Sequence, residues 1–420
     1  MSDIIEKDER TSSSGKQASG VGTVEVPSYM PKQSFGQLLR TDLGFLPVLF
    51  TLLLIVIFFT VVSNGVFLEP GNFSNLILQS ATIGILGVGV ILVLLLGEID
   101  LSVAAVGTLC ATLMAVLTER AGWSAGPAIL VALLTGALIG LVNGFFVAIL
   151  RIPSFIVTLA ASIAYSGLLL TLLAGQSTLI IRDNFIDSIA GTPTSYLTDV
   201  LGVGLPTLAV LLYVGSIVYN YITRRRNGLR TISLTRLIIQ SVLAIAVVEG
   251  AVILFENSFG VPYSAAILFG LIIVLWLVMT RTPFGRHVYA VGGNSEAARR
   301  AGISVVGIQL AVFTLCSMIA AIGGIVAASR GLAVASQISP TLLLDVIAAA
   351  VIGGVSLFGG RGSVWAVVLG MLIIGSLENG LALKSQGTDV KQIIEGLVLV
   401  LAVTADAVIR RVQARSKSGR

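Results

Sequence analysis

The sequence predicts an all-α polytopic membrane protein. Three observations predict it. Residues of the AVILMFWYC set make up 55% of the chain and charged residues only 11%, where a soluble domain carries about a quarter charged residues. Apolar runs long enough to cross a bilayer recur along the chain, about twelve of them with ten to twelve admissible, some short enough to be re-entrant. The basic residues are sorted between alternate loops, as cytoplasmic retention of positive charge requires.

The elements follow in order. Residues 1–35 are polar, with TSSSGKQASG at their centre, and are expected to be a disordered cytoplasmic segment. Asp3, Glu6, Asp8 and Glu9, with the late start of the first apolar run, argue against a signal peptide. Residues 31–43 suit a short interfacial helix. The membrane domain, 36–410, carries apolar runs at roughly 45–62, 76–96, 101–118, 127–150, 152–174, 205–222, 237–255, 261–280, 307–328, 343–358, 365–383 and 392–409. Residues 411–420 form a basic tail. Glycine is frequent, 46 residues, which suits helices packed closely through small side chains.

With the N-terminus inside, alternation puts 21 of the 26 Lys and Arg residues in the cytoplasm. Only Arg120, Arg182, Arg330, Lys384 and Lys391 fall outside. Both termini are therefore expected inside, with the run Arg224–Arg226 as an anchor at anionic lipid headgroups. The net charge of +5 reflects this sorting and points to no nucleic acid.

Two turns between apolar runs are tight: Gly97-Glu98-Ile99-Asp100-Leu101-Ser102 and Gly359-Gly360-Arg361-Gly362-Ser363. Each is either an ordinary cytoplasmic turn or a helix break that re-enters the membrane. The polar stretch 281–306 is the longest ordered one. Gly292-Gly293 reads as a turn, Asn294 as an N-cap, and 295–301 as a helix of about two turns. Glu296 suits its first turn and Arg299 and Arg300 its last. Gly302 falls where a left-handed C-cap belongs. Ala297, Ala298 and Ala301 form a small, smooth face.

Little here resembles catalytic machinery. There is no P-loop, G-x-S-x-G, H-E-x-x-H or CxxC motif. His287 is the single histidine, so a metal site is not expected. Cys110 and Cys316 lie in separate apolar runs and read as small core residues rather than a disulfide.

Glu296-Ala297-Ala298, three residues and Gly302 resemble the EAA-x3-G loop of permease subunits from ATP-binding-cassette importers. Ile308-Gln309-Leu310 stands where that family has Ile-x-Leu-Pro. The flanking TPFGR and YAVGGNSEAARRAGI, with GEIDLSV, RIPSFIVTL and VIGGVSLFGGRGSV, resemble the monosaccharide branch, which includes ribose, arabinose, galactose and xylose permeases. The added apolar hairpin 205–255 and EIDLSV look most like the xylose-transport permeases. The resemblance implies a bacterial inner-membrane permease, a homodimer, with two partners: a cytoplasmic tandem-cassette ATPase, which holds ATP-Mg, and an extracytoplasmic sugar-binding protein. No cofactor is expected on this chain. Asn294, Glu296, Ala297, Ala298, Arg299 and Gly302 would couple to the ATPase. Neutral and acidic groups at Gln79, Glu98, Asp100, Asn143 and Asn379 are candidates for the translocation path, and Arg182 and Arg330 for docking the binding protein. The alternative class is an ion-coupled secondary transporter, using carboxylates such as Glu98, Asp100, Glu249, Asp345, Glu378, Glu395 and Asp406.

Overall fold

The computed structural model describes residues 46–404 apart from 192–194, 230, 388, 395, 398, 399 and 401–403, all in the compact unit Phe45–Arg420. The expected disordered segment 1–35, the helix at 31–43, the tail 411–420 and most of the run 392–409 lie outside the described residues.

The described residues form helices α1 (Leu46–Val62), α2 (Pro70–Leu96), α3 (Val103–Glu119), α4 (Ala125–Gly144, continuing through a π turn), α5 (Ser154–Leu173), α6 (Asn184–Ala190), α7 (Asp199–Arg226), α8 (Leu234–Glu256), α9 (Tyr263–Arg281), α10 (Pro283–Gly293), α11 (Ser295–Arg300), α12 (Val305–Gly331), α13 (Pro340–Ile352) and α14 (Ala366–Leu383). Eight of them are long and apolar enough to cross a membrane, and three shorter apolar helices accompany them. α2 has 27 residues and reaches about 40 Å, beyond the roughly 30 Å of bilayer hydrocarbon. α3 has 17 residues and α13 has 13, about 25 and 20 Å, so each falls short of that thickness. Each short helix adjoins one of the two tight turns.

α2 sits at the centre, with 94% of its most apolar window buried. Its composition permits this, because a helix apolar on every face can be packed on all sides or face lipid. Pro70 begins it with φ already suited to a helix, and Gly97 ends it in the left-handed conformation. α12 packs against α2, α3 and α4. Gly136, Gly140 and Gly144 recur every fourth residue on α4 and meet the α12 backbone from Leu310 to Met318, the small-residue packing that the glycine content anticipated. α7 and α8, the added hairpin, are peripheral, with only 11% of each apolar window buried. Tyr213 and Gln240 join them to each other, and Phe255 meets Phe73 of α2 at 5.2 Å.

The loops fall into two sets. In one, β1 (Thr178–Ile180) pairs antiparallel with β2 (Ala333–Ala335). Arg120 donates to the Leu172 and Leu173 carbonyls, and Ala190 N–H donates to Ser329. The ends of α3, α5 and α12 therefore lie together. In the other set, the end of α2, the starts of α5 and α12, α10 and the 359–363 turn lie together. The sequence reading needs a correction at Gly292-Gly293. These residues complete the last turn of α10 rather than forming a turn, and Asn294 alone separates α10 from α11.

Candidate functional site

α11 is built as its residues specify. The Asn294 side chain accepts from Ala297 N–H at 2.9 Å. Glu296 bridges Arg299 at 2.8 Å and Arg300 at 3.1 Å. Hydrogen bonds from Arg299 and then Arg300 hold the Glu296 carboxyl below the usual carboxylate range, and Glu296 in turn raises Arg299. Gly302 has φ +82° with open space around it. The alanine face, however, is split. Ala297 and Ala301 are exposed, while Ala298 is 4% exposed and part of the core. The offset of one residue turns the side chain about 100° around the axis, enough to move it from solvent to packing.

α10 connects α11 to both tight turns. Gly292 lies against the backbone of α2 so closely that a Cβ would overlap the Leu95 carbonyl oxygen. That oxygen accepts from Gly360 N–H at 2.9 Å. A Cβ on Gly359 would come within 2.7 Å of both Gly292 O and Gly97 N. Tyr289 donates to the Gly362 carbonyl at 3.0 Å. Three stretches singled out separately in the sequence thus meet backbone to backbone.

The first turn is a buried helix break. Asp100 is 2% and Ser102 0% exposed. Ser154 and Thr158, one turn apart on α5, accept from Ile99 N–H at 3.1 Å and Leu101 N–H at 3.0 Å, replacing the helical bonds that the break gives up. Asp100 Oδ1 accepts from the Ser102 N–H and hydroxyl. Asn143 donates to Ser102 Oγ at 3.1 Å and accepts from Tyr165 at 2.8 Å. Cys316 of α12 lies 4.0 Å from Asp100 Oδ2. Ser154 and Thr158 lie within the RIPSFIVTL stretch, and Tyr165 follows it on the same helix. Their signal was a pair of hydroxyls at i, i+4 beside a proline. The second turn differs: Arg361 and Ser363 are exposed and its glycines half-buried, while the flanking Val355, Ser356 and Val364 are buried.

The expected path residues separate into distinct places. Asp100 and Asn143 share the break network, and Glu98 accepts from Gln309 beside it. Asn379 is 2% exposed and accepts from Asn72 at 2.9 Å. Gln79 lines a cavity of about 330 Å³ with Thr82, Arg330, Thr341, Asp345 and Glu378. From Gln309 to Arg330 is 21 residues along α12, about 31 Å, so the cavity and the break are not one site. Arg182 is exposed after β1, and the β1–β2 pairing puts it at the same end of the helices as Arg330. Arg330 stands at the cavity rather than on a projecting loop.

The sequence matches the family described as "Branched-chain amino acid transport system / permease component" over residues 72–403. It is 38% identical to the xylose transport system permease protein of Escherichia coli strain K12, over 85% of this chain and 90% of that one. It is 30% identical to the fructose import permease protein of Rhizobium meliloti, over 87% and 86%. It is 29% identical to the ribose import permease protein of Bacillus subtilis strain 168, over 84% and 90%. No solved structure gives a significant match. A multi-pass bacterial inner-membrane location agrees with these relatives and with the eight long apolar helices. With a match running from within α2 to beyond α14, this chain belongs to the permease-component family of bacterial ATP-binding-cassette transport systems.

Proposed function

We propose that this chain forms the translocation path of an ATP-driven monosaccharide importer, with xylose as its cargo. A separate cytoplasmic tandem-cassette ATPase supplies ATP-Mg hydrolysis, and an extracytoplasmic sugar-binding protein delivers the sugar. The chain works as a homodimer with both termini in the cytoplasm and has no catalytic site of its own. The xylose relatives and the added α7–α8 hairpin support the cargo.

One observation carries the reading. An exposed, capped helix, α11, stands on α10, and α10 lies in backbone contact with the end of α2 and the 359–363 turn. A push on α11 would therefore reach two helix breaks with no flexible side chain between. In this account α11 docks the ATPase through Ala297, Arg299 and the Glu296 pair. Asp100 and Asn143 hold the first break in shape, and Arg182 and Arg330 face the binding protein.

The test is Ala297→Asp in the full chain. Normal membrane levels with loss of ATPase co-purification support the reading. Full co-purification and full xylose uptake by this variant would sink it.

A further inference from the structure

The cavity between α2, α12, α13 and α14 has chemistry that, Arg330 apart, the docking and coupling account does not use. It opens beside Arg330, Gly331 and Ser339, which are exposed, and reaches inward to Thr82 and Asp345, which are buried. Ala327, Asp345 and Glu378 lie four to five residues from the ends of α12, α13 and α14, about 6–8 Å inward. Gln79 and Thr82 lie nine and twelve residues along α2 from Pro70, about 14–18 Å. Ionisable groups at such depth are costly in a bilayer and are by default functional. Arg330 and Glu378 both line this space. The Thr82 hydroxyl is buried with no hydrogen-bond partner, although most buried hydroxyls have one.

The groups present suit one ligand class. The Arg330 guanidinium and Gln79 amide donate, and the Gln79 carbonyl and the carboxylates accept. Ile83 and Leu342 add an apolar patch for C–H surface. The Glu378 carboxylate lines the same space as the cation Arg330, which disfavours an anion. We propose that this cavity is a subsite on the permease for a neutral, polyhydroxylated ligand, the first position a monosaccharide takes after leaving the binding protein. Gln79, Thr82, Arg330 and Glu378 read its hydroxyls, and sugar acids and sugar phosphates are rejected. The assignment rests on the importer reading and on its orientation.

The complete transporter, with permease, ATPase and binding protein in proteoliposomes, tests it with radiolabelled D-xylose. Gln79→Leu and Thr82→Val are each expected to lower uptake about tenfold through the lost hydrogen bond. Hydrolysis of ATP stimulated by loaded binding protein should stay within about twofold of the parent, because assembly and coupling are untouched. Normal uptake by both variants overturns the subsite, and so does a parallel loss of stimulated hydrolysis. Wild-type uptake that ignores ATP would instead overturn the importer reading, so the two failures are distinct. A second readout guards against misfolding. The native Cys110 and Cys316 are buried, so Gln79→Cys offers one accessible thiol. It should react with a membrane-impermeant methanethiosulfonate applied from outside, and reaction should block uptake. No labelling of a normally inserted Gln79→Cys overturns the proposal.

Discussion

At the residue scale, adjacent alanines have opposite roles. Ala297 is exposed and Ala298 is core, so Ala297→Asp tests docking while Ala298→Asp tests folding. Ala298→Asp should reduce the amount of protein in the membrane, because it buries an unpaired charge; immunoblots of washed membranes check this. Gly302→Val should insert normally but order α11 less well, since a Cβ in the left-handed region costs about 1–2 kcal/mol. At the break, Asn143→Leu would leave both the Ser102 hydroxyl and Tyr165 short of a partner. The expected loss is about 1–3 kcal/mol, read as a lower melting temperature in detergent. An unchanged melting temperature would remove Asn143 from the network. The Glu296 carboxyl is held below its ordinary range by Arg299 and Arg300. Its contribution is therefore complete above the unfolded value of about 4.3 and is lost only as pH falls through the lowered folded value. ATPase affinity should consequently show no Glu296-dependent change between about pH 6 and 8, a comparison that Glu296→Gln makes directly. The cap, the charges and the terminating glycine of α11 were legible in sequence because each acts within one helical turn. The burial of Ala298 was not, because it depends on which neighbour α11 leans against.

At the element scale, α10 is the part that sequence missed. PFGRHVYAVGG reads as polar loop with a Gly-Gly turn, yet it forms an eleven-residue helix. Glycine costs helix stability by about 1 kcal/mol, and here the cost is offset by close contact with α2 that no larger residue permits. Gly292→Ala is therefore expected to disturb the junction with Leu95 and Gly360 while leaving α11 exposed. The variant should still bind the ATPase but lose most xylose uptake, a split that co-purification and transport assays resolve. Equal loss of both would mean that α10 supports α11 without passing on its movement. The two breaks were legible as an alternative, because helix-breaking glycines and a carboxylate interrupt long apolar runs. The burial of the first was decided by partners distant in sequence, Ser154 and Thr158 on α5, and the second is tied to Tyr289 on α10. Pairing of this kind leaves no local trace.

At the scale of the whole molecule, the helical class and the apolar runs were readable because hydropathy is a property of each segment alone. The centrality of α2 and the marginal position of α7 and α8 were not, since α2 and α8 have similar composition and differ only in what surrounds them. The charge distribution predicts that the loop set with Arg120 and Arg182 lies outside and the other set inside. Reporter fusions after Gln176 and after Asn227 should report outside and inside respectively, and the reverse pattern would overturn the orientation. The central claim is that ATP hydrolysis by a separate subunit drives sugar through this chain. The most direct measurement is D-xylose uptake in cells expressing this chain and its binding protein, with and without the partner ATPase, and with a protonophore at maintained ATP. The account predicts no uptake without the ATPase and little effect of the protonophore. Uptake that persists without the ATPase and collapses with the protonophore would contradict it.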